Sequence, residues 1–273
     1  MFLKVYGTRG SIAASNRKIQ KYGGNTTCLY IKSKSGDIVI VDAGTGIREV
    51  GEFLAKNKLN KINLILTHYH WDHIQGIPMF IPIFLKKFII NVYGHQKEAS
   101  AKKALSYQMT KPYWPVTLKD LPAKIMYKKL KKKFKIGGIK IETIVNNHPN
   151  YTVGLKFTEG KNAVAFLTDN ELFAANGPTS YKRFVNFVKK TKLLIHDAQY
   201  TDHMYKLRKG YGHSTFSQVM MLAKDAGIKN IIFTHHDPFS SDKFIDDVIR
   251  KLKKKYPKYN INAAAEGKTI ILK

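Results

Sequence analysis

The sequence predicts an α/β protein containing a mostly parallel sheet, and three observations carry that expectation. Short β-branched runs separated by glycine open the chain. Apolar residues at helical spacing from Ile47 then lead into a buried strand, so strand, helix and strand follow one another as a βαβ unit. The same order, hairpins first and then βαβ, returns in the second half. No linker breaks the composition, which favours one domain over residues 1–273 made of two similar halves.

Residues 2–6, 27–31 and 38–41 read as strands, and SKSGD at 33–37 as a hairpin turn by its Ser, Gly and Asp content. After DAGTG at 42–46, Ile47, Val50, Phe53 and Leu54 mark one helix face, ending near 57–60; INLIL at 62–66 follows as a buried strand. Residues 95–135 differ. They hold KPYWPVTLKDLP and the cationic run KKLKKKFK, and read as an exposed connection. The alternative is a lid or oligomer contact beside an active site, because Tyr113 and Trp114 are costly to expose. Strands are expected at 139–145, 153–157, 163–168, 193–198, 230–235 and 269–273. Helices are expected at 179–190, at 214–225 with Ser214 or Thr215 as N-cap, and at 241–254.

Composition excludes several classes. The chain has 273 residues, 44% hydrophobic and 12% aromatic, with 9 Pro, which is neither disordered nor collagenous. A single cysteine, Cys28, rules out a disulfide framework and a zinc site built on several thiolates. No signal peptide is visible, and the apolar stretch 76–92 is broken by Pro78, Pro82, Lys86 and Lys87, so the expected protein is cytoplasmic and does not enter a membrane. The net charge is +28, mostly from Lys, since Arg occurs only at 9, 17, 48, 183, 208 and 250. That excess reads first as solvated surface. A nucleic-acid surface is the sharper alternative, and either attracts anions.

The chemistry is concentrated in histidine and aspartate. His68, His70, Asp72 and His73 fall together in THYHWDH, directly after a buried strand. In open α/β sheets ligands bind at the carboxyl ends of strands. Imidazole and carboxylate donors suit Zn²⁺, Mn²⁺ or Fe²⁺. His148, Asp169 and His235 recur at later strand ends. Each alone is ordinary; their recurrence points to a metal site. His196 reads as a buried strand residue, and His95 and His203 as surface residues.

With these motifs in view the chain resembles the metallo-β-lactamase-fold hydrolases. It is most similar to the branch holding RNase Z, the cyclic-phosphate phosphodiesterases of phosphonate metabolism and the cyclic-nucleotide phosphodiesterases. The resemblance runs over nearly the whole chain: YGTRGS (6–11), GGNTTCLYI (23–31), VDAGTGIREVG (41–51), THYHWDHIQGIP (67–78), HPN (148–150), LTDN (167–170), LIHDAQY (194–200), GHST (212–215) and THHDP (234–238). It implies a four-layer αβ/βα sandwich and two divalent metal ions, zinc first, with manganese or iron as alternatives. His68, His70 and His148 would hold one ion, Asp72, His73 and His235 the other, and Asp169 would bridge them. His236 is an alternative to His235, and Asp42 would orient the histidine loop from beneath. His213 of GHST would give a proton to the leaving oxygen, supported by Asp197 of HDAQ, where RNase Z enzymes carry Glu in HEAT; Asp72 would serve both as ligand and in catalysis.

The implied activity is a phosphodiesterase using a metal-bound hydroxide on a small nucleotide, most of all a cyclic one, with Tyr113 or Trp114 stacking on the base. The alternative is an RNase Z-like nuclease on the tRNA 3′ end, other RNA or DNA, although the Gly/Pro-rich tRNA-gripping arm of RNase Z is missing from this sequence. Relatives are often dimers, which makes a homodimer a further expectation.

Overall fold

A computed structural model describes residues 1–57 and 59–272. The N-terminal part supplies β1 (Phe2–Gly7), β2 (Cys28–Lys32), β3 (Ile38–Val41), α1 (Ile47–Lys56), β4 (Lys61–Ile65), α2 (Trp71–Ile74), β5 (Ile89–Gly94), α3 (Ala101–Gln108) and β6 (Lys124–Lys129). The rest supplies β7 (Lys133–Ile136), β8 (Ile139–Val145), β9 (Val153–Glu159), β10 (Asn162–Leu167), α4 (Tyr181–Val188), β11 (Leu193–Asp197), α5 (Asp202–Tyr205), α6 (Phe216–Ala226), β12 (Asn230–Thr234), α7 (Asp242–Lys255), β13 (Asn260–Ala263) and β14 (Thr269–Ile271).

The strands form two seven-stranded sheets, ordered β14-β1-β2-β3-β4-β5-β6 and β13-β12-β11-β10-β9-β8-β7. Both are mixed, which corrects the expectation of a mostly parallel sheet. In the first, β14, β1, β2 and β3 pair antiparallel, and β3 to β6 pair parallel. In the second, β7 to β10 pair antiparallel, and β10 to β13 pair parallel. The hairpins stay hydrogen-bonded to the βαβ strands and do not form a sheet of their own.

Period-two alternation sorts the side chains into layers. Leu29, Ile31, Val39 and Val41 point into a core between the sheets, where they meet Leu155, Phe157, Val164, Phe166 and Ile195. Their neighbours Tyr30, Ile38 and Ile40 point the other way, onto Ile47, Val50 and Leu54 of α1. Ala165, Leu167 and Leu194 likewise pack outward, against Phe184 of α4, Val219 of α6 and Ile245 of α7. Three apolar interfaces therefore separate four layers, helices, sheet, sheet and helices, as the resemblance implies.

Most expected elements lie within two residues of their predicted bounds. α6 begins at Phe216 because Thr215 caps it, accepting from Gln218 N while Gln218 accepts in return from Thr215 N. Ser241 caps α7. Phe53 is exposed, and Gly51 takes its place on the buried face of α1. The expected terminal strand ends at Ile271, and its last residue, Lys273, lies outside the described residues, as does Lys58 in the expected helix end at 57–60. The 95–135 segment is more than a connection. It carries α3 and two edge strands, β6 on the first sheet and β7 on the second. Lysines hide these strands from a pattern reading: Lys124, Lys128 and Lys129 are exposed, while Ile125, Met126 and Tyr127 are half-buried. Among the described residues no helix is long and apolar enough to cross a membrane.

Candidate metal centre

The parallel strands of both sheets end on one side of the molecule, and the histidines and aspartates collect there. Asp42 follows β3, the THYHWDH segment follows β4, His148 follows β8, Asp169 follows β10, Asp197 ends β11 and His235 follows β12. β4 stops at Ile65, so His68 and His70 belong to the turn after it, and His70 is the N-cap of α2. Asp72 and His73 sit on that single helical turn rather than in a loop.

Two donor sets share one residue. His68, His70, His148 and Asp169 place one ligand atom each within 4.8 Å of one another, and so do Asp72, His73, Asp169 and His235. Asp169 turns a different oxygen to each set. Its Oδ1 lies 3.8 Å from His68 Nε2 and 3.9 Å from His148 Nε2. Its Oδ2 lies 3.1 Å from His73 Nε2 and 3.3 Å from His235 Nε2. All the expected ligands are thus brought together. His236 is not among them. Its Nε2 donates to Ala264 O at 3.1 Å, and burial pushes its pKa down to about 3.

The residues fit a cation. His68 Nε2 and His73 Nε2 are buried without a hydrogen-bond partner among the described residues, although carboxylate oxygens lie within 4 Å. Donors that converge on a common point instead of on each other are arranged for an ion. Three carboxylates, Asp42, Asp72 and Asp169, crowd His73; burial pulls its pKa down, but their charge overrides it and holds the pKa well above the usual value. Burial and the neighbouring His73 push His68 down, and burial brings His148 to about 4, so both are neutral imidazoles, the form a metal requires.

Three of the imidazoles, those of His73, His148 and His70, are oriented by their far nitrogens. His73 Nδ1 donates to Asp42 Oδ2 at 2.8 Å, and the other carboxylate oxygen takes Thr67 N at 2.8 Å, which ties the histidine segment to the end of β3. His148 Nδ1 donates to Gly212 O at 3.1 Å, and His70 Nε2 to Asn150 Oδ1 at 2.7 Å. Asp42, Asp169 and His235 have φ of 62°, 56° and 56°. Non-glycine residues rarely adopt this left-handed conformation, and its recurrence at three strand ends shows backbone held in place by the site.

His213 lies in the same cleft, a space of about 330 Å³ whose walls include Asp72, Asp169 and His235. Its Nδ1 donates to Asp197 Oδ2 at 2.8 Å, and its ring stacks 5.0 Å from that of His235. Asp197 is fully buried. Burial raises its pKa, but hydrogen bonds from His196 and His213 outweigh this and hold it below the usual carboxylate value. Asp197, His213 and His235 also bring ligand atoms within 4.8 Å, so geometry alone allows His213 a ligand role too. His196 is buried between Asn170 and the Asp197 carbonyl, as expected of a strand residue.

Several supporting residues have roles that only the structure reveals. Glu171 accepts from Gly210 N, Gly212 N and Tyr205 Oη at 2.6–3.1 Å, clamping the loop that delivers His213. Ser11 N donates to Asp72 Oδ2 at 2.8 Å. Arg9, fully buried, binds the carbonyls of Gly23, Asp237 and Ser240 and so ties the loop after β1 to the one that follows His235. His95 corrects the sequence reading: it is buried, its ring stacked 4.3 Å from Tyr69, while His203 is exposed as expected. Trp114 is half-buried, its ring packed against the core that also holds Ala101 and Leu105 of α3.

Gly212 explains the first letter of GHST. It has φ 85°, and a Cβ there would lie 2.0 Å from His148 Nδ1. Gly212→Ala is therefore expected to displace His148 and weaken metal binding by its donor set about 10–100-fold. Equilibrium dialysis checks this, and wild-type affinity would refute it.

Residues 38–236 match the family described as the beta-lactamase superfamily domain. The chain is 21% identical over 300 residues to the Ribonuclease Z of Oceanobacillus iheyensis, covering 94% of this chain and 96% of that one. It is 25% identical over 282 residues to the probable metallo-hydrolase YhfI of Bacillus subtilis, covering 98% of both, and the YhfI crystal structure superposes with a TM-score of 0.72. A diphosphatase of the PhnP family superposes equally well, at 0.72, with 17% identity over 100% of this chain and 98% of that one. The chain belongs to the beta-lactamase superfamily and has the metallo-β-lactamase hydrolase fold.

Proposed function

We propose that the chain is a metal-dependent phosphodiesterase acting on a small nucleotide, a cyclic nucleotide before others. The observation that carries this reading is the Asp197–His213 pair set against the two joined donor sets in one cleft. His68, His70, His148 and Asp169 Oδ1 would hold one divalent ion, and Asp72, His73, His235 and Asp169 Oδ2 the other. When bound, such ions supply Lewis acidity, generating a nucleophile from water at neutral pH and offsetting charge on phosphoryl oxygens. Zinc suits these nitrogen and oxygen donors, as do manganese and iron.

The remaining chemistry belongs to the side chains. With Nδ1 committed to Asp197, His213 keeps Nε2 for the cleft and, as imidazolium, gives that proton to the leaving oxygen. Asp197 fixes the tautomer and offsets the imidazolium charge. Asp72 enters through the donor set, aligned by Ser11 N. Tight β9–β10 pairing occupies most of the stretch between His148 and Asp169, which leaves no RNA-gripping arm there and favours a small substrate.

A nuclease acting on RNA or DNA is the second reading. The Ribonuclease Z relative and the exposed lysines on β6 and β7 support it. One panel separates the two: metal-reconstituted protein is assayed on cyclic nucleotides, linear dinucleotides and precursor tRNA. The expected result is about two metals per chain and fastest turnover of a cyclic nucleotide. Faster, steeply salt-dependent cleavage of precursor tRNA would replace the first reading with the second. Metal-loaded protein inert on all three would end both.

A further inference from the structure

A second cavity opens beside the metal cleft. Its volume is about 520 Å³, within the range of small-molecule sites, and its walls include Tyr69, Trp71, Ala104, Tyr107, Gln108 and Tyr113. The cleft and this cavity share Tyr69 and Trp71, so one ligand can occupy both. Three of its rings face water to a degree that aromatic side chains seldom do: Trp71 is 76% exposed, Tyr107 62% and Tyr113 75%. Clustered exposed aromatics next to a reactive centre mark a binding surface.

The walls are preformed. The Tyr69 ring stacks on His95, and its hydroxyl donates to His95 O at 2.6 Å, which fixes the shared wall. Gln108 Nε2 donates to Ile74 O at 2.8 Å, pinning α3 to the helical turn that carries Asp72 and His73. A carbonyl partner settles which way that amide points, and it leaves Oε1 as the acceptor of a residue that lines the cavity.

We infer that this cavity is a base-binding subsite that selects phosphodiesters bearing a planar heteroaromatic ring with an N–H donor on its edge, such as the exocyclic amine of adenine. This rests on the phosphodiesterase reading of the neighbouring cleft. Flat rings lining a cavity recognise a flat ring by stacking, whereas a bare alkyl or sugar ester would leave the aromatic walls in water. The Gln108 acceptor adds a preference for an amine over a carbonyl at the ring edge. Residues 95–135 thereby acquire a role in substrate choice, through Tyr107 and Tyr113.

The test compares adenosine 3′,5′-cyclic phosphate with the base-free ribose 3′,5′-cyclic phosphate on metal-loaded protein. The wild type should prefer the base-bearing ester at least about fivefold in kcat/KM, the low end of what base–aromatic stacking supplies. Ala104→Trp fills the cavity, and Tyr107→Ala with Tyr113→Ala removes two of its walls. Both variants should lose that preference, mainly through KM. No preference in the wild type, or an undiminished one in both variants, overturns the subsite while leaving the phosphodiesterase intact. Should neither ester be hydrolysed, the cyclic-nucleotide reading fails and binding alone decides the subsite. Adenosine monophosphate should then quench tryptophan emission in the wild type and not in Trp71→Phe. Absence of quenching in the wild type overturns the subsite.

Discussion

Asp169→Ala is expected to strip metal from both donor sets and to lower turnover by more than about 10³-fold, beyond the loss usual for a single electrostatic group. One carboxylate reaches both sets, Oδ1 toward His68 and His148 and Oδ2 toward His73 and His235. Its removal leaves each set one anionic donor short, and the first set has no other carboxylate. The backbone adds a second cost, because φ at this residue is 56° and alanine tolerates that conformation less well than Asp or Asn. Asp169→Asn separates the two effects. It suits the same backbone but presents only one acceptor oxygen, so it should retain at most one metal. Elemental analysis of both variants decides the matter, and two metals in Asp169→Asn would remove Asp169 from its bridging place.

His213→Ala should leave about two metals per chain and lower kcat by about 10²–10⁴-fold on a substrate with an alkoxide leaving group. The same variant should lose far less on a p-nitrophenyl diester, because p-nitrophenolate departs without a proton. That split identifies a proton donor, since a residue needed only for folding would affect both esters alike. Asp197→Asn should show the same pattern in weaker form. The amide can no longer offset the imidazolium charge, although the buried network of Ser214 N, Asn170 N and His196 around it remains in reach. Loss of one metal in His213→Ala would instead make His213 a ligand, which its grouping with Asp197 and His235 permits.

The ligand set was legible in the sequence because its chemistry is local in kind. Histidine and aspartate at the end of an apolar strand serve few purposes there, and THYHWDH puts four of them within six residues. His196 was readable as a strand residue for the opposite reason, since it lies inside LLIHDA rather than after it. The supporting residues were opaque. Glu171, Ser11 and Asn150 are ordinary in type, and each acts on partners far along the chain, 34–41, 61 and 80 residues away. His95 looked like surface because its packing against Tyr69 and Tyr151 joins segments with no shared pattern.

By itself, the sequence determined which residues could bind a cation, which strands would carry them, and that no site of several thiolates could form. Residue type and alternation are enough for that, since both are properties of the chain alone. Only the tertiary structure decided that Asp169 divides its two oxygens between the sets, that β6 and β7 close the sheet edges, and that Tyr69, Trp71, Tyr107 and Tyr113 face one cavity beside the cleft. Those are distances between segments remote in sequence. They are set by how two sheets stack over a shared apolar core, which no local pattern of residues encodes.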